Sequence, residues 1–484
     1  MARKPAKVGI APILALIVLA AIPAVGFGYL WHWAGARVPA REALVAPVKT
    51  NLPVPLTTPV LSVRRAPRTL ASLSSDGSLV TALTALGTLV NDTSCMVVEV
   101  DGRKIYDHGG DAPVTPASNE KLITGAVALE VLGPDYTYTT KLLGNVVNGV
   151  VQGDLFMLGG GDPLLSTADY PPSIATDAPT NVTPLENLVT ALVTAGVTQV
   201  QGRVVGDDSR YDTQRFVPTW SDSIKNAEAG PLGALMVNDS IRQIGSIPPK
   251  RYADPATGAA TELTRLLKAA GIKVSGAPSA GPTPANLPEI ASVQSANMAN
   301  IVGEMLTTSD DNTAEMLLKE ISVHADKVIG STIDGIDVIK RVLTEWGIDT
   351  TKINTVDGSG LDSGNVVTCN ILLQVLLHQP LDGPLGTGLA VAGQTGTLAS
   401  QFLDSTVVGR LHAKTGTLTN VKALTGFVTT TGGTLDFSLI LGAAGISDES
   451  KGPGTGPYEA FWNELAKSLG AYPSGPTVDI LAPR

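Results

Sequence analysis

Apolar positions three and four apart alternate with short strand-like runs along this chain, and the two textures fall in separate stretches. Leu79, Leu83 and Leu86 share one face of a helix. Residues 96–100 and 103–106 read as two strands joined by an Asp101-Gly102 turn, a sequence suited to the positive φ of a tight hairpin. Leu122, Ile123, Ala126, Leu129 and Leu132 then continue a helix. Thr115 suits its N-cap, Pro116 its first helical position, and Gly133-Pro134 stops it. From about residue 137 short strands (141–147, 150–158, 199–205) alternate with Gly and Asp. One helix opens there at Thr183-Pro184-Leu185-Glu186, which has capping-box spacing, and another carries Leu263, Leu266 and Leu267. Helices over 296–307, 312–322, 331–346 and 368–378 follow. Residues 408–414, 424–429 and 435–441 read as antiparallel strands, and 458–469 as a closing helix with Phe461, Leu465 and Leu469 on one face.

This pattern predicts an α+β protein with residues 140–290 as an inserted α/β domain. The host domain takes 76–139 and 291–475, and 476–484 is a tail. The start of the chain has a different character. Arg3, Lys4 and Lys7 precede an uncharged run over 8–36, longer than the roughly 20 apolar residues that cross a bilayer. Positive charge ahead of such a run keeps the first residues in the cytoplasm and sends the rest outside. A long, cleaved signal is the alternative, and it too exports the body. Residues 37–75, with Pro39, Pro47, Pro53, Pro55, Pro59 and Pro67, read as an extended linker.

Of 484 residues, 43% are hydrophobic and 16% charged, as expected of a globular protein. The net charge of -10 leaves no basic stripe to neutralise phosphates, which argues against nucleic-acid binding. The five histidines show no metal-ligand spacing. Cys95 and Cys369 are too distant for a CxxC motif. Outside the cell they form a disulfide only if their Cα atoms come within about 7 Å. Otherwise they are two small buried hydrophobes.

Three motifs carry candidate chemistry. Ser118-Asn119-Glu120-Lys121 is the one S-x-x-K in the chain. On a helix, positions three apart share a face, so the Lys121 amine reaches the Ser118 hydroxyl and can activate it. Lys414-Thr415-Gly416-Thr417 is the one K-T-G, expected at the end of a strand. There an extended peptide could add as a further strand, with Lys414 answering a carboxylate and the Thr415 and Thr417 hydroxyls holding it. Between them, Ser309-Asp310-Asp311-Asn312 starts a helix, and Ser309 is placed to relay a proton between Lys121 and a leaving amine. Each alone has a plain reading as a helix start, a strand end or a helix cap. Gln394-Thr395-Gly396-Thr397 imitates K-T-G without its lysine and reads as a packing loop. Asp357-Gly358-Ser359-Gly360, with Asn365 nearby, reads as a tight turn or part of a cleft wall.

In this order the three motifs match the signature of penicillin-binding proteins and serine β-lactamases. With the stretches 116–124, 129–136, Gly159-Gly160-Gly161-Asp162-Pro163, Asp357-Gly358-Ser359-Gly360-Leu361 and Gly396-Thr397-Leu398, the chain resembles the D-alanyl-D-alanine carboxypeptidase/endopeptidase family, low-molecular-mass penicillin-binding proteins with a large insertion. The resemblance spans about 80–480, in islands. It implies a five-stranded antiparallel sheet covered by helices beside an all-helical part, the penicillin-binding/serine β-lactamase-like transpeptidase fold, with the site between them. It implies acylation of Ser118 by peptidoglycan stem peptides ending in D-Ala-D-Ala, or by β-lactam antibiotics. Lys121 would be the general base, and the Ser118 and Thr417 N–H groups the oxyanion hole. No metal or cofactor is implied. The sequence departs from the family at the second motif, usually Ser-x-Asn. Asp311 stands where Asn is expected, with Asn312 one residue late. An aspartate there favours the ammonium form of Lys121 and weakens it as a base. That departure keeps open a non-catalytic envelope module with a decayed site. A β-lactamase is the nearest enzymatic rival.

Overall fold

A computed structural model describes residues 66–484 except 171–178, 226, 244, 247–248, 326–327, 451–454, 477–479 and 481–484. The apolar run 8–36, the linker as far as residue 65 and most of the expected tail lie outside the described residues. Among the described residues no helix is long and apolar enough to cross a membrane.

The first helix, α1 (Ala66–Gly87), begins inside the stretch expected to be linker. Leu79, Leu83 and Leu86 are buried along it, and their shared face gives this segment a surface to pack. The hairpin β1 (Cys95–Val100) and β2 (Arg103–His108) forms about Asp101 and Gly102, both at positive φ. Helix α2 (Glu120–Leu132) follows. The next stretch holds β3 (Thr139–Val147), β4 (Val150–Leu158), α3 (Glu186–Thr194), β5 (Gln199–Val200), β6 (Val204–Asp207), α4 (Pro255–Ala269), β7 (Lys273–Val274), β8 (Ser279–Ala280) and β9 (Glu289–Gln294). Strands β3, β4 and β9 pair antiparallel, whereas β4–β5, β4–β6, β5–β7 and β6–β8 pair parallel. Such crossovers need helices, and α3 and α4 supply them over a separate apolar core. The expected capping box at 183–186 does not form. Thr183–Pro184 instead pairs with Leu165–Ser166 as a two-residue strand, and no side chain caps α3.

Helices α5 (Met298–Thr308), α6 (Asp311–His324), α7 (Thr332–Glu345) and α8 (Cys369–His378) surround α2. Strand β10 (Ala390–Val391), β11 (Leu411–Leu418), β12 (Val421–Thr430) and β13 (Gly433–Gly442) complete the main sheet, in the order β10-β11-β12-β13-β1-β2, antiparallel throughout. Five of its strands are long, and the sixth, β10, is a two-residue edge. One face packs on the helices around α2, the other on α1 and the closing helix α9 (Glu459–Gly470). Cys95 on β1 and Cys369 at the start of α8 are joined as a disulfide, with Cα atoms 6.0 Å apart. The bond staples the sheet to the helical part.

Candidate active site

Ser118 does not lie in the first turn of an α-helix. Ala117–Asn119 form a 3-10 turn after Pro116, and α2 starts only at Glu120. Thr115, expected as the cap, donates its hydroxyl to Ser363 O at 3.4 Å instead. Tertiary contacts fix this turn from three sides. A Cβ on Gly416 would meet Pro116 O at 2.9 Å, so β11 lies directly against the turn. A Cβ on Gly360, which sits at φ +83°, would meet Ala117 O at 1.9 Å. The amide of Asn119 donates to Thr425 Oγ1 on β12 at 2.8 Å. Ala117 is held at φ +48°, a conformation that costs a non-glycine residue about 1–3 kcal/mol and that clusters at functional sites.

Lys121, fully buried, donates from Nζ to Ser118 Oγ at 3.0 Å, to Asp311 Oδ1 at 2.6 Å and to Ser359 O at 2.7 Å. Three acceptors thus answer its three protons. Loss of one proton turns the contact with Ser118 into a bond from the hydroxyl to the amine, the geometry of a general base. Asp311 and Asn312 are adjacent on α6, about 100° apart around its axis, and so face different neighbours. Asp311 faces Lys121. Asn312, the alternative partner, does not join the site. Its Oδ1 accepts from Gly230 N at 2.9 Å, and its Nδ2 donates to Asp239 Oδ1 at 3.0 Å. Ser309 caps α5 in the left-handed conformation, two residues before Asp311. Its hydroxyl has no hydrogen-bond partner among the described residues.

K-T-G lies within β11 rather than at its end. The edge strand β10 pairs only with His412 and Ala413, so beyond Ala413 that side of β11 has no strand partner among the described residues. Lys414 is fully buried and donates to Thr415 O at 2.9 Å. Burial holds its ammonium well below the usual lysine range. The charge of Lys121 acts in the same direction, and that of Asp311 opposes it. Thr415 donates its hydroxyl to Thr397 Oγ1 at 2.9 Å. The stretch 394–397, expected to be a packing loop, therefore brings a hydroxyl to the K-T-G strand. Its likeness to K-T-G in sequence was the available signal.

A second set of residues was not assigned chemistry from the sequence. The turn 357–360 carries Ser359 O to Lys121, and Gly358 O accepts from Thr124 Oγ1 at 2.8 Å. Asp357 braces that turn, accepting from Gly360 N and Asp362 N at 2.8 Å and from Asn365 Nδ2 at 2.7 Å. It also accepts from Trp220 Nε1 at 2.8 Å, a link from the inserted stretch. Among the described residues no group of histidine, cysteine, aspartate and glutamate side chains is arranged to hold a metal ion.

A family model described as "D-Ala-D-Ala carboxypeptidase 3 (S13) family" matches residues 77–253 and 245–455. The chain belongs to the D-Ala-D-Ala carboxypeptidase 3 (S13) family. Its similarity to known carboxypeptidases covers most of the chain. It is 30% identical to a Mycobacterium tuberculosis carboxypeptidase over 427 residues, covering 86% of this chain and 88% of that one. It is 27% identical to a D-alanyl-D-alanine carboxypeptidase of an Actinomadura species, covering 71% and 77%. Haemophilus influenzae penicillin-binding protein 4 superposes with a TM-score of 0.65 at 20% identity, covering 80% of this chain and 98% of that one. A predatory peptidoglycan endopeptidase of Bdellovibrio bacteriovorus superposes at 0.51 and 18% identity, covering 78% and 92%. The S13 chain therefore has the penicillin-binding type of fold that its motif order implied.

The Asp311–Lys121 ion pair sets a first expectation for this S13 chain. Asp311→Asn keeps an acceptor for Lys121 but replaces the 2.6 Å ion pair with a weaker neutral hydrogen bond. Acylation by a β-lactam at pH 7 is expected to speed up about tenfold, because the amine is held less tightly away from its task. Stopped-flow acylation checks this. An unchanged rate would show that the ion pair does not restrain the base.

Proposed function

We propose that this protein is a serine D,D-carboxypeptidase that releases the terminal D-Ala of peptidoglycan stem peptides through a Ser118 acyl-enzyme. The observation that carries the reading is the three-way bonding of Lys121 to Ser118, Asp311 and Ser359 inside a buried site. A serine hydroxyl needs an adjacent base to attack a carbonyl, and the Lys121 amine is the group placed to take its proton. The stem peptide lies along the open edge of β11, where main-chain bonds give it an extended strand's register. Lys414, Thr415 and Thr417 hold its terminal carboxylate. The Ser118 and Thr417 N–H groups take the charge that develops on the scissile carbonyl oxygen. Ser309 passes the proton from Lys121 to the leaving amine of D-Ala, and water then releases the acyl group from Ser118. The same chemistry cuts D,D cross-links, in which the leaving amine belongs to a second stem peptide. A β-lactam enters as a mimic of the acyl donor and leaves a long-lived ester on Ser118. Because the substrate lies outside the cytoplasm, the body works there, held at the membrane by residues 8–36 if they are retained.

Intact-mass measurement after benzylpenicillin treatment, with peptide mapping, is expected to place one adduct on Ser118. D-Ala is expected to be released from a D-Ala-D-Ala pentapeptide. An adduct elsewhere would remove Ser118 from this role. Binding of the pentapeptide without release would favour the envelope-module reading, for which the Asp311–Lys121 ion pair is the specific support. Rapid turnover of the penicillin, faster than D-Ala release, would favour a β-lactamase.

A further inference from the structure

Glu315 lies on α6, one helical turn beyond Asp311, and is fully buried. Its Oε1 accepts from Gly358 N at 2.9 Å and from Ser359 N at 2.8 Å. Those two N–H groups belong to the turn whose Ser359 carbonyl receives Lys121. The other carboxyl oxygen, Oε2, has no hydrogen-bond partner among the described residues, and neither has Oε2 of Glu120, whose Oε1 accepts from Thr355. A buried ionic acid would be paired with a cation. Neither glutamate has an ion-pair partner among the described residues.

Resting on the reading of Lys121 as the base, we propose that Glu315 is a positioning residue for catalysis, holding the 358–359 turn so that Ser359 O orients the Lys121 amine toward Ser118. One helix thereby sets two of the three acceptors of the base. Asp311 does so directly, and Glu315 through the turn. The charged and titratable groups around Glu315 are Glu120 and Lys121 on α2, Asp357 on the turn itself, and Asp311 on its own helix. Burial pushes Glu315 up to about 8, with the charge of Asp357 adding to it, while the bonds from Ser359 and the charge of Lys121 oppose the shift. The upward shift and the lack of a cation on Oε2 among the described residues favour the neutral acid near neutral pH, with Oε1 taking the two N–H bonds. A glutamine reproduces that arrangement, an acceptor oxygen beside a donor group of similar size.

Full-length protein carrying Glu315→Gln is expected to be acylated by benzylpenicillin within about threefold of the wild-type rate at pH 7. Glu315→Ala is expected to lose about a hundredfold in the acylation rate constant, a share a positioned base supplies. Its noncovalent penicillin affinity should change little. A merely structural role would lower the melting temperature or the affinity and leave the acylation rate constant of the folded protein unchanged. Wild-type protein is run in parallel. If it forms no Ser118 adduct, the catalytic reading itself falls. If it does, and Glu315→Ala acylates at the wild-type rate, the positioning role is overturned. Should Glu315→Ala fail to fold, Glu315→Gln decides: a loss of more than about thirtyfold there would contradict the neutral-acceptor role, and near-wild-type acylation would support it.

Discussion

Ser118→Ala is expected to abolish acylation, and Lys121→Met to slow it by at least about 10³-fold. The double variant should be no worse than Ser118→Ala. The expectation follows from one hydrogen bond, Lys121 Nζ to Ser118 Oγ at 3.0 Å, in a site where the lysine has no exposed surface. Bulk water cannot take the amine's place on the inner side of the hydroxyl, because Lys121 has no exposed surface, although Ser118 itself is half-buried. Groups that act as a unit lose most of their effect when either is removed, so the two losses do not add. Methionine keeps much of the lysine's aliphatic bulk, which separates loss of the base from collapse of the pocket. It does leave Asp311 without its cation. The measurement is time-resolved intact mass with a β-lactam, with melting temperature recorded alongside. Acylation of Lys121→Met near the wild-type rate would mean that another group takes the Ser118 proton.

Removing the disulfide through Cys95→Ala with Cys369→Ala is expected to cost about 2–5 kcal/mol of stability. The bond closes a loop across 274 residues that contains the inserted sheet and the helices α2 to α7. A cross-link over so long a loop restricts the unfolded chain strongly in the chain-entropy account. Both sulfurs are fully buried, so each alanine also leaves a small void. Thermal and urea melts check the size of the effect. Acylation of the folded variant at 25 °C should stay within about twofold, since neither cysteine touches Ser118, Lys121 or Lys414. An unchanged melting curve would mean that the two sulfurs are not joined in the protein.

Much of this architecture can be read from periodicity. Three-to-four spacing marks α2, the Asp101-Gly102 turn marks the hairpin β1–β2, short strand-like runs mark β3 and β4, and an inserted α/β stretch follows from strands interleaved with helices. Errors fall where local and tertiary signals compete. Thr183-Pro184 has capping-box spacing, but the backbone at those residues is used by a short strand instead. Pro116 suits a helix start, yet β11 and the 357–360 turn press the next three residues into a tighter turn. Strand β11 continues through K-T-G because β12 pairs with it as far as Leu418. No local pattern in the K-T-G residues reveals that partner.

The candidate site divides in the same way. Sequence alone determined the pair Ser118 and Lys121, because both lie within four residues and a helical turn fixes their distance. It also determined the three motifs and their order, which carry the family. Only the tertiary structure decided that Asp311 rather than Asn312 meets Lys121, since one step along α6 turns a side chain by about 100° and the register is set by how α6 packs on α2. It alone brought in Ser359, Glu315 and Thr397, which are distant along the chain and ordinary in type. Hydrogen bonds between segments 18, 44 and 238 residues apart leave no periodicity behind. Such contacts form only once two helices and a sheet have closed around the lysine.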